Sequence, residues 1–428
     1  MVSFSADLRF RGLLHQVTDD GLLDRLDRGS VVAYIGFDPS APSLHVGSLM
    51  QLCTLRRLQQ AGHPPIALAG GGTGMIGDPG GKSAERNLLS ADVLAANLAG
   101  IRPQLERFLD FSGPAAARLL DNADWLGALS VVDFLRDVGK HFTVNQMVAK
   151  ESVKARFERP DQGISYTEFS YMLLQAYDFL RLHLDHGCDL QVGGSDQWGN
   201  ITMGVELIRK VARTEAYGLT TPLVLKADGT KFGKTESGTV WLDPDLTSPY
   251  RLYQFFFNTD DAMVGSYLRY FSFLDHDQLL ALDQATADRP QAREAQRALA
   301  REVCGLVHGQ AEVDRAERAA AALFGEDIAD LDEKTLLDVV DDAPATTVDR
   351  AALLDGATGG FSLVDALVRA GLAGSKGEAR RTISQGGAYV NNRRADDVDR
   401  ALQVADLLHD RYVVLRKGRR DYHLLRVE

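Results

Sequence analysis

The stretch "VVAYIGFDPSAPSLHVGSLMQLCTLRRLQQAGHPPIALAGGG", residues 31–72, holds the pattern that decides the fold. Its first part, "VVAYIGFDP" (31–39), is an apolar run closed by Asp38-Pro39, which predicts a buried strand feeding a turn. Residues 49–62 then place apolar side chains at helical spacing and stop at Gly62. "PPIALAGGG" (64–72) is a second strand-like run ending in glycines. Strand, loop, helix, strand and Gly-rich loop, in that order, predict a parallel α/β sheet. The pattern returns in "CDLQVGGSDQWGN" (188–200), a short apolar run followed by paired glycines and polar side chains. Ligands of open parallel sheets collect at the carboxyl ends of strands. Three polar, Gly-rich loops after strand-like runs are therefore candidates to line one cleft.

Outward from this core, residues 247–330 become helical and Ala-rich. Residues 341–360 are rich in Asp, Thr, Ala and Gly, as a linker would be, with short apolar pieces between. A compact unit follows, with two short helical patterns ahead of "GAYVNNRRAD", where Asn391-Asn392 predicts a hairpin turn. A chain of 428 residues is long for one hydrophobic core and implies two or three domains. With 45% apolar and 25% charged residues, the composition is that of a soluble globular protein. Cys53, Cys188 and Cys304 are isolated and odd in number, which argues against a disulfide framework or a thiolate metal site and for a reducing compartment. The N-terminal segment lacks the apolar core of a secretory signal, and no 18-residue apolar run predicts a membrane span. A cytoplasmic protein is expected. The net charge of -12 argues against a general nucleic-acid coat. Residues 355–428, however, hold 13 Lys+Arg against 10 Asp+Glu, while the rest holds 34 against 49. That asymmetry leaves room for a local basic footprint.

Five short segments carry candidate chemistry. In "KADGTKFGKTES" (226–237), Lys231 and Lys234 flank Phe232-Gly233 in a polar loop. Mobile point charges of this kind suit a triphosphate whose charge moves during reaction, and Gly233 permits closure. The bland alternative is a solubilising loop. In "PSLHVGS" (42–48), His45 stands at a helix start, where free N–H groups favour anions, and Gly47 lets a flat ring approach the backbone. A surface histidine near a helix N-terminus is the alternative. "GGGTGMIGDPGGKS" (70–83) spells a dinucleotide fingerprint through Gly72, Gly74 and Gly77, with Asp92 at a suitable distance. Yet Asp78-Pro79 resists the helix that fingerprint needs, and Ile76 occupies the first glycine of the phosphate-loop pattern. A glycine loop that lets Asp78 face a ligand amine fits better. In "YTEFSYMLLQAYD" (166–178), Tyr171, Gln175 and Asp178 are four and three residues apart and share one helix face. A core stripe would be apolar; this one joins a phenol, an amide and a carboxylate. "GGSDQWGN" (193–200) places Asp196 and Gln197 after two glycines, an Asp suited to a ribose hydroxyl and a Gln to a carboxylate or amide.

These loops, in this order, resemble the class I aminoacyl-tRNA synthetases and, among them, the bacterial tyrosyl-tRNA synthetase family. "LHVGS" stands at the family's His-x-Gly-His signature and "KFGKT" at its Lys-Met-Ser-Lys-Ser signature. "TGMIGDP", "DQGISYTEFSYMLLQAYDFL" and "GGSDQWGNI" are more specific than either. The resemblance runs from about residue 4 to the C-terminus. It implies a Rossmann-like parallel-sheet catalytic domain over 1–225 and a mobile phosphate-contacting region over 226–246. A helical anticodon-arm domain over 247–340, a linker over 341–358 and a small α+β S4-like RNA-binding domain over 359–428 would follow. It implies a tyrosine–tRNA ligase that joins tyrosine and ATP to tyrosyl-adenylate and pyrophosphate, then charges tRNA(Tyr). Mg2+ would accompany ATP, with no tightly held cofactor and no metal bound by the protein itself, and the chain would form a homodimer.

Residue roles follow from the same resemblance. Tyr34 and Asp178 would hold the phenol hydroxyl of tyrosine; Asp78, Tyr171 and Gln175 its ammonium; Gln197 its carboxylate. Asp38 would shape the tyrosine and adenylate pocket. Gly36, Gly47, Ser48 and Gly194 would line the ATP site, Asp196 would hold the ribose, and His45 would contact phosphates. Lys231 and Lys234, with Thr235, would stabilise departing pyrophosphate, and Ser40 would add a phosphate contact. Lys82 and Arg86 would meet the acceptor arm of tRNA. Lys376, Arg380, Arg381, Arg393, Arg394, Arg416, Lys417, Arg419 and Arg420 would position RNA through phosphates. One departure stands out: Ser48 replaces the second histidine of the family signature, and a serine cannot carry imidazolium charge. Two other readings stay open, a related ligase for a modified tyrosine and a catalytically weak RNA-binding paralogue. A tryptophan ligase is disfavoured by Tyr34 with Asp178, and a nicotinamide-dependent oxidoreductase is the poorest fit.

Overall fold

A computed structural model describes residues 2–78, 89–150, 153–154, 163–230, 232–235, 238–322, 328–341, 343–351, 361–418 and 421–428. The chain forms two compact units, one of residues 1–246 and 259–303, the other of 247–258 and 304–428. Among the described residues no helix is long and apolar enough to cross a membrane. Cys53, Cys188 and Cys304 are free and buried.

The first unit is built on a six-stranded sheet in the order β1-β6-β5-β2-β3-β4. The strands are β1 (Gln16–Val17), β2 (Val32–Phe37), β3 (Pro65–Ala69), β4 (Arg118–Asp121), β5 (Cys188–Gly194) and β6 (Tyr217–Thr221). All neighbours are parallel except β1 and β6. Every residue of β3 and of β6 is buried, as expected of strands covered on both faces. The chain leaves β2 toward β3 on one side, and β5 returns to the other. The β2–β5 boundary is thus the point where strand order reverses and a crevice opens beyond the carboxyl ends. In register, Tyr34 of β2 lies between Ile66 of β3 and Gln191 of β5.

Four helices position the loops around that crevice. They are α1 (Leu49–Gln60), α2 (Ala91–Phe108), α3 (Tyr166–His186) and α4 (Trp198–Val211). The side chain of Ser165 caps the start of α3 by accepting from Glu168 N, and Gly187 ends it in the left-handed conformation. Helix α2 fastens the loop before α1. Asn97 Nδ2 donates to Pro39 O at 2.9 Å, and Leu44 N donates to Gln104 Oε1 at 2.8 Å. A fifth helix, α5 (Asp261–Phe271), ends on two buried guanidiniums. Arg57 donates to Tyr270 O and Ser272 O, and Arg11 to Ser272 O and Leu274 O. These bonds satisfy carbonyls that a helix end leaves open.

The second unit holds a five-stranded sheet. Its strands, in the order β9-β8-β10-β11-β7, are Arg393–Ala395, Ala388–Val390, Tyr412–Lys417, Asp421–Val427 and Ala345–Val348. Two helices, α6 (Leu363–Arg369) and α7 (Lys376–Ser384), share its apolar core through Leu363, Leu367, Ala379 and Ile383. The hairpin read from Asn391-Asn392 forms. Both residues take positive φ, 49° and 61°, and Val390 pairs directly with Arg393. Asn391 also clamps the neighbouring strand, its Oδ1 accepting from Val414 N at 2.9 Å. Ala345–Val348 (β7), inside the stretch whose composition reads as linker, is a strand parallel to β11. Its short Thr- and Val-containing run finds a sheet edge that local composition does not reveal. Residues 352–358 of that stretch lie outside the described residues.

Candidate active site

A cleft of about 350 Å³ opens at the carboxyl ends of β2 and β5. Twelve of the residues singled out in the sequence line it: Tyr34, Gly36, Asp38, Gly47, Ser48, Asp78, Tyr171, Gln175, Asp178, Gly194, Asp196 and Gln197. Segments far apart in the chain therefore meet in one place.

The deep end is organised around Asp178. Its carboxylate is buried and accepts from Asn122 Nδ2 at 2.8 Å and from Trp125 Nε1 at 2.7 Å. Burial pushes the Asp178 carboxyl up to about 7, against the two donors, with Asp38 and Asp121 pushing the same way. Each oxygen has one donor and retains a lone pair for another. Tyr34, also buried, has its phenol raised well above the ordinary value by burial and by the nearby Asp178. Among the described residues, Tyr34 Oη has no hydrogen-bond partner. An enclosed hydroxyl without a partner costs free energy until a ligand supplies one.

Two polar chains tie this end to the rest of the cleft. Asn122 Nδ2 also donates to Thr73 Oγ1 at 2.9 Å, Thr73 Oγ1 donates to Asp38 Oδ1 at 2.9 Å, and Tyr171 Oη donates to Asp38 Oδ2 at 3.0 Å. The second chain runs from Asn200 Nδ2 to Gln175 Oε1 at 3.0 Å, from Gln175 Nε2 to Gln197 Oε1 at 3.1 Å, and from Gln197 Nε2 to Asp78 Oδ2 at 2.6 Å. The spacing of Tyr171, Gln175 and Asp178 on α3 delivers all three to the cleft. The glycines at 72, 74 and 77 pass through a single 3-10 turn, Thr73–Met75, and start no helix before Asp78.

The outer end is made by the segments bearing His45 and the loop lysines. Val46 N donates to Val240 O at 3.0 Å and Leu242 N to Leu44 O at 2.8 Å, so residues 44–46 run beside 240–242. His45 is exposed and does not line the cleft itself. A Cβ on Gly47 would stand 2.7 Å from His45 Cε1, so the ring lies over a glycine backbone. Gly233 has φ 88°, and a Cβ there would stand 2.8 Å from Val46 Cγ2. Only glycine lets the two segments pass this closely. Phe232 anchors the lysine loop, 4.8 Å from the Tyr267 ring and 5.5 Å from that of Phe271 on α5. Lys234–Thr235 pairs with Gly238–Thr239 in a two-strand ribbon. Lys231 and the side chains of Lys234 and Thr235 lie outside the described residues. Ser40 is exposed and is not part of the cleft wall.

The basic residues of the second unit separate into two kinds. Arg380, Arg381, Arg393 and Arg394 are exposed. Lys376 pairs with Asp365 at 2.6 Å and Lys417 with Glu378 at 2.7 Å. Arg416 is buried, its guanidinium 3.8 Å from the Tyr389 ring centre. Lys82, Arg86, Arg419 and Arg420 lie outside the described residues. The sequence reading missed Asn122, Trp125, Thr73, Gln191 and Gln51, all but Trp125 on the cleft wall. Asn122 follows β4, a strand that the sequence analysis does not read, and so was not found.

Comparison with known proteins agrees with this geometry. The family described as "tRNA synthetases class I (W and Y)" matches residues 26–325, and the "Tyrosine--tRNA ligase SYY-like C-terminal domain" matches 338–425. A tyrosine–tRNA ligase of Roseiflexus castenholzii is 57% identical over 100% of both chains. One from Bacillus caldotenax is 52% identical over 98% of this chain and 99% of its own. Among solved structures, a C-terminally truncated mitochondrial tyrosyl-tRNA synthetase of Aspergillus nidulans matches with a TM-score of 0.69 and 34% identity. It covers 76% of this chain and 95% of its own. The reversal of strand order, the shared cleft and identity above half over the full length converge: the chain belongs to the class I aminoacyl-tRNA synthetases, in the tyrosyl-tRNA synthetase family.

Proposed function

We infer that this chain is a tyrosine–tRNA ligase, which activates tyrosine with ATP and passes it to the terminal adenosine of tRNA(Tyr). The observation that carries the reading is the unpartnered Tyr34 hydroxyl beside the buried Asp178 carboxylate. A substrate phenol donates to Asp178 and accepts from Tyr34, which satisfies both groups at once. The ammonium of tyrosine then meets Asp78, Tyr171 and Gln175, and Gln197 stands near its carboxylate. The chain of hydrogen bonds from Asn200 to Asp78 holds these amides before substrate arrives.

In the first step the tyrosine carboxylate attacks the α-phosphorus of ATP. An O–P bond forms, the bond to the β-phosphate oxygen breaks, and pyrophosphate leaves. Charge builds on the transferred phosphate and the leaving group, so the step needs positive charge and donors more than an acid–base pair. His45, Lys231, Lys234 and Thr235 are assigned that role, supported by the close passage of Gly233 against Val46. Asp196 is assigned the ribose, and Gly36, Gly47, Ser48 and Gly194 the walls around the nucleotide. Mg2+ would enter with ATP and would offset the negative charge of its phosphates. In the second step a ribose hydroxyl of the tRNA end attacks the tyrosyl carbonyl and releases AMP.

The exposed arginines of α7 and β9 are the proposed phosphate contacts of tRNA in the second unit, and Lys376, Lys417, Arg416, Arg419 and Arg420 are assigned the same role; Lys82 and Arg86 are assigned to the acceptor arm. We propose a cytoplasmic homodimer. Between residues 131 and 144, Val131 (74% exposed), Val132 (70%), Leu135 (50%) and Val144 (64%) leave apolar side chains in the open that a second copy would cover. The test of the activity is exchange of pyrophosphate with ATP in the presence of single amino acids. Exchange dependent on tyrosine is expected; its absence would overturn the reading and favour a catalytically weak RNA-binding paralogue.

A further inference from the structure

A second cavity, of about 460 Å³, lies at the far end of α1. The helix starts beside Ser48 on the cleft wall and runs for 12 residues to Gln60. At about 1.5 Å per residue that is a span of about 18 Å. The cavity thus sits at the amino edge of the sheet, where β3 begins, and the cleft at the carboxyl edge. Arg56, Gln59 and Gln60 line it from α1, and Arg107 and Phe108 from the end of α2. The loop between α2 and β4 forms the rest of the wall, and Gln59 fixes its shape. Gln59 Nε2 donates to Asp110 O at 2.5 Å and to Ala115 O at 2.9 Å, and its Oε1 accepts from Asp110 N at 2.9 Å. Within the loop, Ala117 N donates to Asp110 O at 2.8 Å, and Gly113 turns with φ 78°.

The two arginines say what the cavity can hold. Arg56 is half-buried, its guanidinium carbon 5.3 Å from the Phe273 ring centre, and Arg107 is exposed. Among the described residues, neither makes a hydrogen bond or an ion pair. Cations near helix C-termini often serve the helix dipole, which is the plain alternative. A guanidinium with that duty donates to the end carbonyls, as the adjacent Arg57 does to Tyr270 O and Ser272 O. The end of α1 is closed by its own backbone instead, through Ala61 N to Arg57 O and Gly62 N to Gln59 O. Asp110 is the carboxylate in the wall, and its Oδ1 accepts from Ser112 N and Ser112 Oγ inside its own loop. The lining therefore holds two cations against one anion, in a chain of net charge -12. One guanidinium fork fills both oxygens of a carboxylate; two forks suit the third oxygen that a phosphate adds. Phe108, Leu109 and Pro114 add apolar surface, and the volume exceeds the about 350 Å³ of the cleft, so the ligand carries an organic body. We propose that this cavity binds a small phosphate monoester, with Arg56 and Arg107 on the phosphate and Phe108 and Pro114 against the organic group.

None of these residues lines the cleft, so the proposal stands apart from the ligase reading. Calorimetry at pH 8 on the full-length wild type, Arg56→Gln and Arg107→Gln tests it, with n-butyl phosphate, n-butyl sulfate and inorganic phosphate as probes. The wild type is expected to bind n-butyl phosphate, and each variant to bind it about tenfold more weakly, the scale of losing a hydrogen bond to a charged group. Inorganic phosphate is expected to bind about tenfold more weakly than the ester, the scale of burying about two methylene groups. The sulfate, a monoanion with the same body, is expected to bind at least about fivefold more weakly. No binding of the ester by the wild type below about 10 mM would overturn the proposal, as would an affinity unchanged in both variants. Equal binding of the sulfate would contradict the phosphate, and equal binding of inorganic phosphate would contradict the organic body. Tighter binding of a short single-stranded RNA through the same arginines would replace the small ligand with a nucleic acid. Arg107 is exposed, so thermal unfolding of Arg107→Gln should match the wild type and keep the binding result interpretable.

Discussion

The two ends of the cleft are built on different principles. At the deep end, Tyr34 and Asp178 are enclosed and held by neighbours fixed in turn by strand ends: Asn122 after β4, Thr73 after β3, Asp38 after β2. At the outer end, His45 is exposed, and the lysine loop is held by one buried ring and a glycine crossing. A rigid, desolvated end suits the choice of a side chain, because unmatched polar groups there find no water. An outer end bearing long cationic side chains suits a phosphate whose charge moves during reaction. We propose that recognition and chemistry are divided along the cleft, so that perturbing each end should read out differently.

The largest effect is expected at the outer end. Lys234→Ala should slow tyrosine-dependent exchange by about 10²–10³, the scale of losing one transition-state contact, with KM for tyrosine unchanged. A rise in KM for tyrosine with an unchanged rate would place the lysine with recognition instead. Next is the pH dependence of the deep end. In the proposed reading the substrate phenol donates its hydrogen bond to Asp178 most strongly when that carboxylate is ionised, and burial has raised its carboxyl to about 7. The kcat/KM for tyrosine should therefore be about tenfold lower at pH 6 than at pH 8, while KM for ATP changes little. The sign for stability is the reverse of that for binding. A raised carboxyl favours the unliganded fold below the ordinary carboxylate range, and that contribution is lost as pH rises through about 7.

A smaller effect is expected at Tyr34. Tyr34→Phe removes a hydroxyl that has no partner in the described protein, so the unliganded variant should be more stable, by about 1 kcal/mol. Tyrosine should nonetheless bind about fivefold more weakly, the loss of one neutral hydrogen bond. Denaturant unfolding and equilibrium binding measure the two halves. Lower stability in the variant would show that the hydroxyl is already satisfied.

Legibility in the sequence followed the range of the interaction. The α3 face was readable because Tyr171, Gln175 and Asp178 obey one helical period. The hairpin was readable because Asn391-Asn392 accepts positive φ. The α/β core was readable from residues 31–72, because buried parallel strands are uninterrupted apolar runs. Asn122 and Trp125 were not readable, because their meeting with Asp178 spans 56 and 53 residues and depends on strand order. Gln191 and Gln51 sit inside a strand and a helix whose apolar patterns hide them. His45 was found as a motif residue, but its place at the mouth rather than on the wall required the pairing of 44–46 with 240–242.

The division of labour is tested most directly by binding of tyrosine and phenylalanine to the wild type and to Asp178→Asn, by calorimetry at pH 8. Strong preference for tyrosine is expected in the wild type, and loss of most of that preference in the variant, with tyrosine affinity down by about 10–100-fold. A preference that survives intact in Asp178→Asn would contradict the assignment of the deep end to the phenol hydroxyl.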